Sequence, residues 1–270
     1  MFKNNIKTEP IPERVYELCK LVSQGDINEI DARQKLEPKS LNSGSYFGSI
    51  REVCVEELNL IKKDGDILSF IGYKKVLKNM DSFRLYCNSK VFLEDNNDFY
   101  KIVSCFMDAN DNWLSYSTIT DTKIRSEVKE KTKIQLVTEP MMLGTRFWMS
   151  FLGFGYIQEK DNSYIYFLPN MHTALQDFCT LAEFEKNHEY TVQEFCRKIW
   201  PFARVSLNDV HTTRMFNLAI SNALRSMHDN KEIALKKNSD SKETWFLSTD
   251  PTHEFIDAIT HIVFKGVKRG

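Results

Sequence analysis

Glycine and proline are scarce in this chain, 10 and 7 among 270 residues, beside abundant Asn, Lys, Ile and Phe. That bias fits an AT-rich coding genome and points to a low-GC bacterium or one of its mobile elements. Long apolar runs are missing too: nowhere do about 18 consecutive apolar residues occur, which excludes a hydrophobic membrane-spanning helix. Residues 1–12 are polar, with no apolar signal core, so a cytoplasmic protein is expected. Neither sign of charge is in excess, since 36 Lys and Arg against 37 Asp and Glu leave −1. This excludes a histone-like coat for polyanions, and any DNA binding would need local basic patches.

Six cysteines (Cys19, Cys54, Cys87, Cys105, Cys179 and Cys196) lie far apart, and no pair has the two-residue gap of a zinc knuckle. Sitting in apolar helical patterns, they read as buried reduced thiols. Catalytic signatures are absent as well: there is no Gly-rich phosphate loop, no Gly-x-Ser-x-Gly elbow and no paired catalytic carboxylates. The six histidines (His172, His188, His211, His228, His253 and His261) include no pair at the four-residue spacing of a helical zinc site. Glu127-Val128-Lys129 has the letters of a nuclease triplet but no preceding strand with a Pro-Asp pair. The chain is therefore expected to be no enzyme and to need no metal or cofactor.

What is present is a generous core: 42% hydrophobic residues, 12% aromatic with 19 Phe, against 27% charged. That is enough to fold as a globular protein rather than remain disordered. The length accommodates one large domain or two to three small ones. One ending recurs three times: a helix, a polar turn, then an apolar strand, in Ile67-Leu68-Ser69-Phe70-Ile71-Gly72, Tyr164-Ile165-Tyr166-Phe167-Leu168-Pro169 and Thr244-Trp245-Phe246-Leu247-Ser248-Thr249.

Local signals place elements around these endings. Pro10-Ile11-Pro12 opens a helix with Val15, Leu18, Cys19 and Val22 on one face, and Asn28 caps a second that ends before Pro38. A third carries Phe47, Ile50, Cys54, Leu58 and Ile61 on one side, and Asp64-Gly65 turns a hairpin within 60–71. Residues 74–92 read as one longer linking helix, and 99–107 as a strongly apolar helix. Residues 110–138 are irregular, although 123–133 hold five cations against two acids, +3. Pro140 opens a helix that Gly153-Phe154-Gly155 ends, followed by a hairpin with its tip at 158–163. Residues 171–184 read as another helix. Thr191-Val192-Gln193-Glu194 is a capping box, and Pro201 is expected to break the helix it starts. A long helix follows from Ser206 to about Asp229, then 233–235 pairs with 245–247, and Asp250-Pro251 starts a last helix through Phe264.

This order of helices and ribbons resembles the winged helix-turn-helix superfamily, and the resemblance covers most of the chain. It implies an α+β, mostly helical fold of tandem modules with short β-hairpin wings, at 1–95, 96–188 and 189–270. In such modules the third helix enters the major groove and the wing meets phosphates. The residues carried over are Ser45, Tyr46, Ser49 and Arg51 with Lys62 and Lys63 in the first module, and Arg146 with Lys160 in the second. In the third they are Thr213, Arg214, Asn217 and Arg225 with Lys236 and Lys237. The implied partner is double-stranded DNA, with the chain as a subunit of a bacterial DNA-handling or anti-phage defence complex, a step of fold-level analogy. Two other readings stand beside it. One is a protein-protein adaptor for an ATPase or nuclease subunit, favoured by the Met- and aromatic-rich stretch 141–149. The other is a transcriptional regulator.

Overall fold

The computed structural model describes residues 6–37, 46–93, 97–115, 121–160 and 164–267. Among them the chain is α+β and mostly helical, with eleven α-helices and four small antiparallel sheets. The ribbons do not merge into one sheet. No helix of the described residues is long and apolar enough to cross a membrane.

The N-terminal part follows its local signals closely. Helix α1 (Pro12–Val22) begins on its proline and buries Val15, Leu18, Cys19 and Val22. Strand β1 (Ile27–Asn28) runs directly into α2 (Glu29–Leu36), whose first turn is closed by Asn28 accepting from the Ile30 amide at 2.9 Å. Helix α3 (Phe47–Glu52) continues as a π-helical turn over Val53–Glu57. Then β2 (Ile61–Asp64) and β3 (Ile67–Phe70) form the ribbon, with Gly65 at φ 58° supplying the left-handed turn residue. Strand β1 also pairs with β3, so the sheet order is β1-β3-β2.

The expected linking helix at 74–92 is two pieces, a 3-10 turn over Lys74–Leu77 and α4 (Met80–Asn88). The physical cause is Asn79, held extended, whose side chain accepts from the Ser82 amide and starts a new helix. Helix α5 (Asp98–Asp108) matches the apolar stretch. The supposedly irregular segment contains a regular helix, α6 (Thr122–Thr132), capped by Asp121. Only Ile124 and Val128 are buried on it, too few to mark a period in the sequence. Helix α7 (Glu139–Leu152) starts beside Pro140 and stops at Gly153, φ 82°. The ribbon β4 (Gly155–Lys160) and β5 (Tyr164–Pro169) follows.

Next come α8 (His172–Leu181), β6 (Glu189–Thr191) and α9 (Val192–Leu207), which opens on the capping box read from Thr191 and Glu194. Pro201 does not break α9. It lies on the solvent side, where the carbonyl that loses its amide partner can be met by water. The long helix expected from Ser206 is instead α10 (Val210–Thr213) and α11 (Leu218–Asp229), separated where Arg214 turns left-handed and Asn217 caps the new start. The ribbon partner of β7 (Ile233–Lys236) is β10 (His261–Phe264), not 245–247, and β6 joins the other side to give the order β6-β10-β7. Strand β8 (Trp245–Phe246) pairs with β9 (Ala258–Ile259). No helix follows Asp250-Pro251. Asp250 instead accepts from the amide of Thr252 in a tight turn, and the β-branched residues Ile259, Ile262 and Val263 go into strands.

One hydrophobic cluster runs from Ile6 to Phe264. Helix α7 lies inside it, packed on α1, α4 and α5. Trp148 is fully buried and its Nε1 donates to the Pro10 carbonyl at 2.8 Å. Gly144, one turn earlier, brings the helix so close to the N-terminal segment that a Cβ there would sit 2.3 Å from the Lys7 carbonyl oxygen. The six cysteines are buried and free.

Candidate nucleic-acid interface

The structure disperses the residues that the resemblance selects, and it pairs most of the cations internally. In the first part, Ser45 lies outside the described residues. Tyr46 precedes α3 and lies half-buried under the Arg14 guanidinium, 5.6 Å from its ring centre. Ser49 accepts from Lys7 Nζ at 3.3 Å. Arg51 and Lys63 both bond the Glu29 carboxylate. Lys62 alone of this group is exposed with no partner among the described residues.

Partial burial opposes ionisation of Glu29, but hydrogen bonds from Lys63 and Arg51, together with their charges, outweigh it and hold the carboxyl below its ordinary 4.5. A carboxyl lowered by folding stabilises the native state above its unfolded value, and this contribution is lost as pH falls through the lowered folded value. Glu29→Gln should therefore lower the urea midpoint at neutral pH. The difference from the parent should close below the usual carboxylate range. A gap independent of pH would show that the ion pairs contribute nothing.

In the middle of the chain Arg146 is half-buried. Its guanidinium lies over the Phe147 ring at 5.0 Å, its Nε has no partner, and burial pushes the group below the ordinary arginine value. Lys160 ends β4 opposite Tyr164, its side chain outside what is described. Helix α7 buries Met141, Met142, Gly144, Thr145, Trp148, Met149 and Leu152. Only Glu139 and Pro140 on it are fully exposed, and Leu143, Arg146, Phe147 and Ser150 form a half-exposed stripe.

The C-terminal set is likewise occupied. Thr213 closes a turn, donating to the Asp209 carbonyl and accepting from the Met215 amide. Arg214 pairs with Glu243 at 2.9 Å. Asn217 is a helix cap, accepting from the Ile220 amide. Lys236 pairs with Glu189, and Lys237 with Asp257 at 3.6 Å. Arg225 is not on the surface: it is 4% exposed and donates to the carbonyls of Ser248, Phe255 and Ile256. Its place on a helix otherwise rich in Ala and Leu gave no hint of that cover.

The most exposed basic element is α6. Lys123, Lys129, Lys131 and Lys133 are exposed and Arg125 is half-exposed. Ile124 and Val128 anchor the helix from beneath. Trp113 Nε1 donates to Glu127 at 2.7 Å, which removes one of the two acids from the outer face, and Lys131 lies over the Trp113 ring at 5.9 Å. Residues 133–138 connect α6 to α7, both of which pack on α5, and the basic face of α6 is turned outward. The 123–133 segment was visible in the sequence as charge, although not as a helix. Among the described residues no group of three or more His, Cys, Asp or Glu could hold a metal ion. No protein-family model, curated protein or solved structure matches this chain.

Proposed function

We propose that the chain is a non-enzymatic, tandem winged-helix body that binds duplex DNA through its phosphates rather than by reading bases. The fold supports the first half. The succession α1-β1-α2-α3-β2-β3, with strand order β1-β3-β2, has a counterpart in α8-β6-α9-α11-β7-β10, with order β6-β10-β7. In both, a strand follows the first helix, runs directly into the second and pairs with the last strand of the ribbon. The set α5-α6-α7-β4-β5 is the same without its first strand. On this reading α8, which packs on α9 and α11, is the first helix of the third module rather than a tail of the second.

The observation that carries the second half is α6, an exposed helix in a segment, 123–133, of net charge +3, followed in the chain by a third helix, α7, that is largely buried. Cations on such a face neutralise phosphates and release counterions without sequence information. Lys129→Glu, Lys131→Glu and Lys133→Glu together should weaken binding to a short random duplex by roughly 100-fold at low salt, and should flatten the salt dependence by about 0.9 per lost phosphate contact. Fluorescence anisotropy across a salt series reads both, and an unchanged slope would sink the proposal.

An adaptor is the second reading, favoured by exposed apolar side chains: Ile30, Ile71 and Tyr73 in the first module, Tyr156 and Ile157 on β4. Such side chains suit a protein surface. A stable complex with an ATPase or nuclease subunit in the absence of DNA would favour it over the first.

A further inference from the structure

Helix α11 carries a polar stripe that the protein covers with its own chain. Ser221, Arg225 and His228 are spaced four and three residues apart and share one face. Residues 248–257 lie across it. The Ser248 amide donates to Ser221 Oγ at 2.9 Å. Arg225 Nε donates to the Phe255 carbonyl at 3.0 Å, and its Nη2 to those of Ser248 and Ile256 at 2.6 and 2.7 Å. Two imidazoles latch the segment. His228 Nδ1 accepts from the Leu235 amide and His253 Nδ1 from the Phe255 amide, both at 3.0 Å. Each ring therefore carries its proton on Nε2 and donates it, His228 to Glu254 at 2.6 Å and His253 to Asp229 at 3.1 Å.

The cover has the chemistry of a polyanion. It holds Asp250, Glu254 and Asp257 and no Lys or Arg, and it offers oxygens to a guanidinium as a phosphate would. Arg225 offers more donors than this cover uses, because the three carbonyls occupy only its Nε and Nη2. Its Nη1 is buried without a partner, and burial pushes the group below the ordinary arginine value despite Asp250 and Asp257 nearby.

We propose that residues 248–257 are an acidic self-cover on the DNA-binding face of α11, and that their displacement lets Ser221, Arg225 and His228 meet the phosphates of duplex DNA. This rests on the DNA reading given above and adds a second, masked site to the open one on α6. Strands β8 and β9 fix how to test it: Leu247 donates to the Asp257 carbonyl in register with them. Replacing residues 248–256 by Asn-Gly therefore closes the hairpin with a two-residue turn.

That variant should bind a short random duplex roughly tenfold more tightly, with a steeper salt dependence. Arg225→Gln in the same background should abolish the gain. A milder variant that keeps the loop, Asp250→Asn with Glu254→Gln, should move affinity the same way by about threefold. Hydrogen exchange of the α11 amides reports opening independently of DNA. Unchanged affinity in a folded, opened variant that still loses binding on charge reversal of α6 would overturn the cover and spare the DNA reading. Absence of binding by every variant would overturn both. Should the shortened chain fail to fold, unchanged affinity in the Asp250→Asn, Glu254→Gln protein is decisive against it.

Discussion

Asp177→Ala should destabilise the protein by about 3–5 kcal/mol, the range for removing one partner of a buried ion pair. Asp177 is 1% exposed on α8, and its Oδ2 accepts from Arg84 Nε and Asn88 Nδ2 on α4, both at 2.9 Å. Burial alone would push the Arg84 guanidinium down, but the hydrogen bond and charge of Asp177, helped by Asp81, raise it above its ordinary value. Without the carboxylate, Arg84 keeps Asp81 at 2.6 Å, whereas Asn88 keeps only the Leu152 carbonyl. The lower half of the range is therefore the better expectation. Replacing the charges together, as Arg84→Met with Asp177→Leu, should cost far less than the single change, because no uncompensated charge is left inside. Urea unfolding of the three proteins measures this, and a loss under about 1 kcal/mol for Asp177→Ala would show that water already reaches the pair.

A loss of similar size is expected at Trp148. Its ring is fully buried, lies edge-on to Phe151 at 5.8 Å, and bonds the Pro10 carbonyl. Trp148→Ala removes the apolar surface and leaves a cavity, for about 3–5 kcal/mol. Trp148→Phe keeps most of the volume and isolates the hydrogen bond with its abandoned carbonyl, for roughly 1–3 kcal/mol. Both should raise proteolytic susceptibility at the N-terminal segment before the rest of the chain unfolds. If cleavage begins elsewhere, the segment is held by other contacts.

Which parts of this molecule could be read from the sequence follows from the range of the forces involved. Pro12, Asn28, Asp64-Gly65, Thr191 with Glu194, and Gly153 all act within four residues, and each does in the structure what its local chemistry dictates. Asn79 acts at the same range, yet an apolar period running past it concealed the cap. The partner of β7 was illegible because both 245–247 and 261–264 are short apolar strands. The choice is made by β6, which must also find an edge. At the candidate interface the limit is sharper. Arg51 and Lys63 meet Glu29 across 22 and 34 residues of chain, and Arg225 is covered from 23 to 31 residues away. Spacing on a helix says which residues share a side, but not what else comes to lie there. Charge density in 123–133 survived as a signal because it needs no partner to be read.

The bond from Trp148 to Pro10 spans 138 positions and bears on how the chain is made. Synthesis is vectorial, so the first helices leave the ribosome with one flank bare and must wait until α7 emerges to close it. Contacts between such distant positions also slow folding. A nascent chain halted before α7 should therefore hold chaperones longer than one halted just beyond it.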